Sequence, residues 1–362
     1  MNSSGGTLAT TLQKWIDRWR QKPRAKPEHA AADDEYARRL VNEREQFDEC
    51  LNVHELPDIF HYWSNRYLLP MFTPFGFTSP NDFFLRSIRE KCEQTDGRAM
   101  SIVSIGAGNC DLEIEIAERL LAAGVEAFSI DCVEINGNMI ERARLRAGDS
   151  ALAGKLRFQQ QDFNSWRPRP GRYDVVMACQ SLHHVLELEH LFDSIRVGLA
   201  PGGLFLTSDM IGRNGHQRWP EALEMVAGFW DELPEDYRYN RLMQRLEPSY
   251  INHDCSTSGF EGIRAQDILP LLLERFNFRL FVPYGNIVFV FVERAFGHNF
   301  DAAGEWDRDF IDRVHAADEE AIFSGRIKPT SMLAAMTLEP VETQLRDPRL
   351  TPRFCVRPAD RD

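Results

Sequence analysis

A Rossmann-like α/β fold with a mostly parallel seven-stranded sheet is the class this sequence predicts, and three observations predict it. Short β-branched runs alternate with segments of helical period from Met100 onward. A strand, a Gly-x-Gly turn at Gly106–Ala107–Gly108 and a helix follow one another directly. An acidic residue, Glu134, closes the next strand. Alternating strands and helices imply a sheet covered on both faces.

Each element has its own signal. The run MSIVSI is the first strand, and Leu112, Ile116, Ala117, Leu120 and Leu121 mark one face of the helix after it. Further strands are expected over 128–133, 156–160, 173–178 and 204–207. Residues 278–293 read as two strands around a turn at Tyr284, Gly285 and Asn286, an antiparallel hairpin that ends the sheet. Before Met100, a helical pattern starts at Asp34. An aromatic block follows that Pro57, Pro70, Pro74 and Pro80 divide into short helices. Ser79 or Asn81 is placed to cap the last of them. The organisation expected is a flexible arm over 1–33, a helical cap over 34–95 and a core over 96–295. That core holds a helical substrate-recognition insertion at 210–276. A C-terminal extension over 296–362 carries one apolar helix at 310–323.

Composition bounds the function. The 362 residues carry 42 Lys plus Arg against 55 Asp plus Glu, a formal charge of −13 that repels a phosphate backbone, so no nucleic-acid partner is expected. The seven cysteines are scattered without a C-x-x-C pair, which suits a reducing compartment and provides no metal site. No apolar run is long enough for a signal peptide or a membrane span, so a cytoplasmic chain without a membrane partner is expected.

The glycine turn carries the chemistry. Glycines admit a tight turn and close approach of a ligand. The next helix offers unpaired N–H groups. Glu134 is placed to accept both hydroxyls of a ribose. In a Gly-x-Gly-x-x-Gly count the last position is Asp111, whose carboxylate would repel a pyrophosphate. The ligand expected is therefore a nucleoside without phosphates rather than NAD or FAD.

In these motifs the sequence resembles the class I S-adenosylmethionine-dependent methyltransferases. VSIGAGNCD is similar to the family's glycine loop, so Gly106, Ala107, Gly108 and Asn109 would wrap the methionine part of the cofactor. The resemblance implies Glu134 on the ribose, Ile135 on the adenine, Asp162 at the adenine amine and Phe163 flanking the ring. YDVVMACQSLHHV would put Gln180, Ser181, His183 and His184 beside the transferable methyl, and GLAPGGLFLTSDM resembles the fifth strand. Two positions depart from the pattern. Ser104 stands where an acid is common, and Cys110 stands where Gly is common, narrowing the room beside the cofactor.

Candidate catalytic residues are His183, His184 and Asp209, with one imidazole as general base. Arg66 is a candidate for the cofactor carboxylate, with Tyr67 beside it. Trp63, Asn65, Tyr250 and His253 are candidates for substrate contact. The lead expectation is methyl transfer to an O or N nucleophile of a small molecule, in a secondary-metabolite or glycan pathway. Use of the cofactor's aminocarboxypropyl arm and a non-catalytic scaffold are the alternatives. A homodimer built on the aromatic block is the competing reading of the cap.

Overall fold

A computed structural model describes residues 31–48, 56–95, 97–148, 152 and 154–358. The expected arm therefore lies outside the described residues up to position 30.

The glycine turn sits at the heart of an eight-stranded sheet. Its strands are β1 (Met100–Ile105), β2 (Phe128–Glu134), β3 (Leu156–Gln160), β4 (Tyr173–Cys179), β5 (Leu199–Met210), β8 (Asn277–Tyr284), β9 (Ser331–Thr337) and β10 (Gln344–Leu345). Their order is β10-β8-β9-β5-β4-β1-β2-β3, one strand more than expected. Strands β1 to β5 pair in parallel, whereas β9 is antiparallel to both neighbours, β5 and β8. A two-stranded ribbon, β6 (Tyr239–Asn240) and β7 (Arg245–Leu246), stands apart from the sheet. Helices α5 (Asp111–Ala122), α6 (Gly137–Ala147), α7 (Leu188–Gly198) and α9 (Ala265–Arg275) accompany the sheet, and α8 (Pro220–Glu232) lies in the segment after β5. Central strands are covered on both faces, and Ile102, Val103, Val175, Val176, Phe205 and Leu206 are fully buried.

The expected hairpin at 278–293 is corrected. Its first half is β8, but VFVFV is a short buried helix, α10 (Val288–Val292). A buried apolar run has no periodicity that separates strand from helix. A distant carboxylate decides for the helix. Asp318 accepts the N–H groups of Asn286 (2.9 Å) and Ile287 (3.0 Å), donors that a helix start leaves unpaired. Asp318 lies on α11 (Glu305–Ser324). The strand that pairs antiparallel with β8 is β9, inside the expected extension. Residue 295 is thus no boundary, because the sheet continues beyond it.

The proline-divided block is also corrected. Helix α2 (Asp58–Trp63), a π-helical turn (Ser64–Leu68), α3 (Leu69–Phe72) and a 3-10 turn (Thr73–Phe75) form one unbroken helical run through Pro70. Widening to π pitch shifts the hydrogen-bond ladder just where proline lacks its N–H. Ser79 caps α4 (Pro80–Glu93), its Oγ accepting Asp82 N–H at 3.1 Å. Trp63, Phe72, Phe77, Phe83 and Phe84 belong to the chain's own core, so the aromatic block does not present them to a second copy. Helix α1 (Ala31–Asp48) docks on the loop before α9: Arg39 donates to the carbonyls of Ser256 (2.6 Å) and Gly259 (2.7 Å), and Asn42 to Ser258 O (2.8 Å).

Candidate active site

Above the carboxyl ends of β1, β2, β4 and β5 lies a cavity of about 690 Å³, where open parallel sheets bind ligands. Its size falls within the ~300–1,000 Å³ of small-molecule sites.

One end is built by the glycine loop. Gly106 has φ +68°, and a Cβ there would lie 2.5 Å from Ser181 Cβ, so the loop and the β4 turn close only on a glycine. Gly108 N–H donates to Glu134 Oε2 (2.8 Å) and Asn136 N–H to Oε1 (2.9 Å). Burial raises the Glu134 pKa. Two N–H bonds leave the carboxylate with spare lone pairs, enough for a pair of ribose hydroxyls. Ile135, Met139 and Phe163 supply apolar walls beside it, and Ala107, Asn109, Gln180 and Ser181 complete this end. These features fit the nucleoside cofactor expected from sequence.

Both departures in the loop have local explanations. Ser104 Oγ donates to Glu113 Oε1 (2.6 Å), so α5 brings a carboxylate to the place where Ser104 lacks one. Burial pushes Glu113 up to about 7. Cys110 adopts φ +56° and is fully buried, outside the cavity lining; the expected narrowing does not occur.

The opposite end gathers histidines and carboxylates. His183 Nδ1–H donates to Asp209 Oδ1 (2.6 Å), and its Nε2 lies 3.5 Å from Glu261 Oε1. His216 Nε2 lies 2.7 Å from the same oxygen. His184 sits between Glu43 Oε1 (Nδ1, 2.6 Å) and Glu261 Oε2 (Nε2, 3.6 Å). Burial pulls His183 down, but the carboxylates of Asp209 and Glu261 outweigh it and carry it up to about 10. Burial likewise raises Glu261, and the three imidazoles outweigh that and hold it well below its ordinary range.

Other expected site residues fall elsewhere. Asp209 is fully buried and accepts the N–H groups of Ser181, Leu182 and Met210 at 2.7–2.9 Å as well as His183, so it positions rather than reaches the cavity. Asp162 accepts Asn164 N–H (2.9 Å) and the Tyr36 hydroxyl, and lies outside the lining. Phe60, Ser64, Leu68 and Phe72 line the cavity from one face of the helical run, with Asn65 and Leu69 beside them. Trp63, Arg66 and Tyr67 fall on the other face. Trp63 donates to His315 Nδ1 (3.3 Å), Arg66 pairs with Asp312 (3.3 Å), and Tyr67 stacks on His315. The cofactor and substrate roles expected of these three are corrected accordingly. Tyr250 packs on Trp230, and His253 accepts from Arg245 (2.7 Å), both away from the cavity. From their segment it is Phe260 and Glu261 that line it. Sequence reasoning missed His216, Glu43 and Glu293 altogether. The Gly215–His216 step just beyond β5 was the available signal for the first.

A nucleoside-binding α/β domain is the class that this sheet and loop define. Residues 102–203 match the family model of a methyltransferase domain. The chain is 30% identical over 168 residues to a hybrid PKS-NRPS synthetase of Fusarium sp., covering 45% of this chain and 4% of that protein. It is 25% identical over 192 residues to a sterol 24-C-methyltransferase of Gibberella zeae, 49% of each. The chain thus spans only a small part of the first relative and about half of the second. An S-adenosylmethionine-dependent methyltransferase structure from Mesorhizobium loti aligns with 71% of this chain and 97% of its own, at 12% identity and a TM-score of 0.39. Residues 102–203 are thus similar to a methyltransferase domain, and the Gly106–Asn109 loop with Glu134 agrees with the S-adenosylmethionine expected from sequence.

Proposed function

We propose that the chain is an enzyme that moves the methyl group of S-adenosylmethionine to an oxygen or nitrogen nucleophile of a small molecule. One observation carries this reading: a single cavity runs from the Gly106–Asn109 loop and Glu134 to His183, His184 and Glu261. The bound cofactor supplies an electrophilic methyl on a sulfonium. Glu134 fixes the ribose, Ile135, Met139 and Phe163 flank the adenine, and the loop follows the amino-acid arm. The acceptor then sits toward Tyr284, Phe289 and Met210, its nucleophilic atom turned to His183 and Glu261. Catalysis comes chiefly from alignment of that atom with the methyl. The helical run over 58–75 roofs the cavity and limits water beside the sulfonium. That the relatives include a sterol methyltransferase and a hybrid synthetase supports a small-molecule acceptor. Among the described residues no helix is long and apolar enough to cross a membrane, and the charge of −13 disfavours a phosphate-backbone acceptor.

The test is product analysis with methyl-labelled cofactor and fractionated small-molecule extract. The reading expects adenosylhomocysteine together with a labelled acceptor. Methylthioadenosine as the main product would move the reaction to the aminocarboxypropyl arm, and no turnover with any fraction would favour a scaffold.

A further inference from the structure

The histidine–carboxylate cluster has the geometry of a coordination site. His183 Nε2, His216 Nε2 and a Glu261 oxygen lie within 4.8 Å of one another. Ligand atoms ~2.0–2.2 Å from one tetrahedral ion stand about 3.3–3.6 Å apart, and Glu261 Oε1 lies 3.5 Å from His183 Nε2 and 2.7 Å from His216 Nε2, so a small outward shift of His216 admits the ion. Two imidazoles and one carboxylate suit a divalent transition metal rather than magnesium or calcium, which prefer oxygen.

His183 is held from outside the cluster through its ring, and His216 and Glu261 are held through the backbone beside them. Asp209 orients His183 from behind through Nδ1, as a carboxylate commonly does for a metal-bound histidine. That carboxylate is itself fully buried and held by three backbone N–H groups at 2.7–2.9 Å. His216 has φ +56°, a left-handed backbone that a non-glycine residue rarely adopts. The loop around it is clasped: Gly215 N–H donates to Gly262 O (2.8 Å). A Cβ on Gly215 would lie 2.0 Å from Asp254 Oδ1, and one on Gly262 would lie 3.1 Å from His216 Cε1. The residue before His216 and the residue after Glu261 are thus pressed together. Local strain of this kind persists only where the surroundings over-determine it, and it concentrates at functional sites.

We propose that His183, His216 and Glu261 bind one divalent transition-metal ion, with open positions facing the acceptor. This rests on the reading of that end of the cavity as the acceptor site, and it narrows the acceptor to one with a hydroxyl. A hydroxyl oxygen bound to the ion has a lowered pKa and loses its proton to water, leaving an oxygen lone pair for the methyl.

Cobalt(II) titration of the chelator-treated full chain tests this, with adenosylhomocysteine calorimetry on every sample. Saturation at one cobalt per chain is expected, with visible absorption bands. His216→Ala and Glu261→Gln should each weaken it at least 100-fold while adenosylhomocysteine still binds. His253→Ala, outside the cavity, should leave cobalt binding unchanged. Copper(II) in the unaltered chain should show spin-echo modulation from two imidazoles, a readout that does not depend on any variant folding. Absence of one-site saturation, retention of cobalt by both variants, or no imidazole modulation overturns the site. Cobalt binding without adenosylhomocysteine binding would instead leave the site standing and refute the methyl-transfer reading.

Discussion

Glu134 concentrates the cofactor argument in one side chain. It holds the glycine loop through Gly108 N–H and keeps lone pairs for the ribose. Glu134→Ala should weaken adenosylhomocysteine binding by about 1.5–3 kcal/mol, roughly 10- to 150-fold, measured by calorimetry. The residue was legible in the sequence because a strand end after a glycine turn fixes where a carboxylate must stand. Asp162 was less so, because its partner Tyr36 is 126 positions away in the chain. Asp318 gives a pH prediction. Burial pushes its pKa up to about 7 against the N–H bonds from Asn286 and Ile287. A raised carboxyl pKa means the folded chain holds a proton that the unfolded chain has lost. Stability from this group is therefore full below about pH 4 and is lost as pH rises toward 7. The urea stability of the unaltered chain, relative to Asp318→Asn, should fall across that window by an amount on the order of a few kcal/mol.

At the scale of elements, the helical run over 58–75 divides its two faces between cavity and core. Trp63 is fully buried against Phe60 and Phe289. Trp63→Ala should cost about 3–5 kcal/mol in denaturant unfolding. Under conditions where the variant stays folded, its cofactor affinity should be unchanged. A selective loss of acceptor binding would return Trp63 to the substrate site. The sequence showed the aromatic density but not which face turned inward, because the π turn shifts the phase of the helix. The clasp that carries His216 is a second element with a defined weakness. Gly215→Ala forces a Cβ into Asp254, so methyl transfer should drop at least about 10²-fold through misplacement of His216, while adenosylhomocysteine binding survives. Equal transfer rates would separate this loop from the reaction.

For the whole molecule, the sheet joins segments far apart in the chain. Strand β9 lies between β5 and β8 and pairs with both. Ending the chain at residue 295 would leave the facing edges of β5 and β8 unpaired and remove Phe310, Ile311 and Val314 from the core. Such a fragment should be insoluble or lack a cooperative unfolding transition by circular dichroism. The first five strands were readable because each, apart from β4 after the 3-10 turn Phe163–Ser165, follows a helix with a turn between them. The last antiparallel strand was not, since SMLAAMT lies beyond a crossover that resembles a tail, and VFVFV offers the stronger β signal. The two-ended cavity is likewise a property of the assembled chain. Its acceptor end draws His183 from the β4 turn, Glu261 from the loop before α9 and Glu43 from α1, with His216 from beyond β5 behind Glu261. No local pattern announces that convergence. The most direct measurement is therefore a paired one, adenosylhomocysteine binding and label transfer in Glu134→Ala and in Glu261→Gln. The account predicts that Glu134→Ala loses binding, whereas Glu261→Gln binds like the unaltered chain and transfers at least about 10²-fold more slowly. Equal binding by all three proteins, or undiminished transfer by Glu261→Gln, would contradict it.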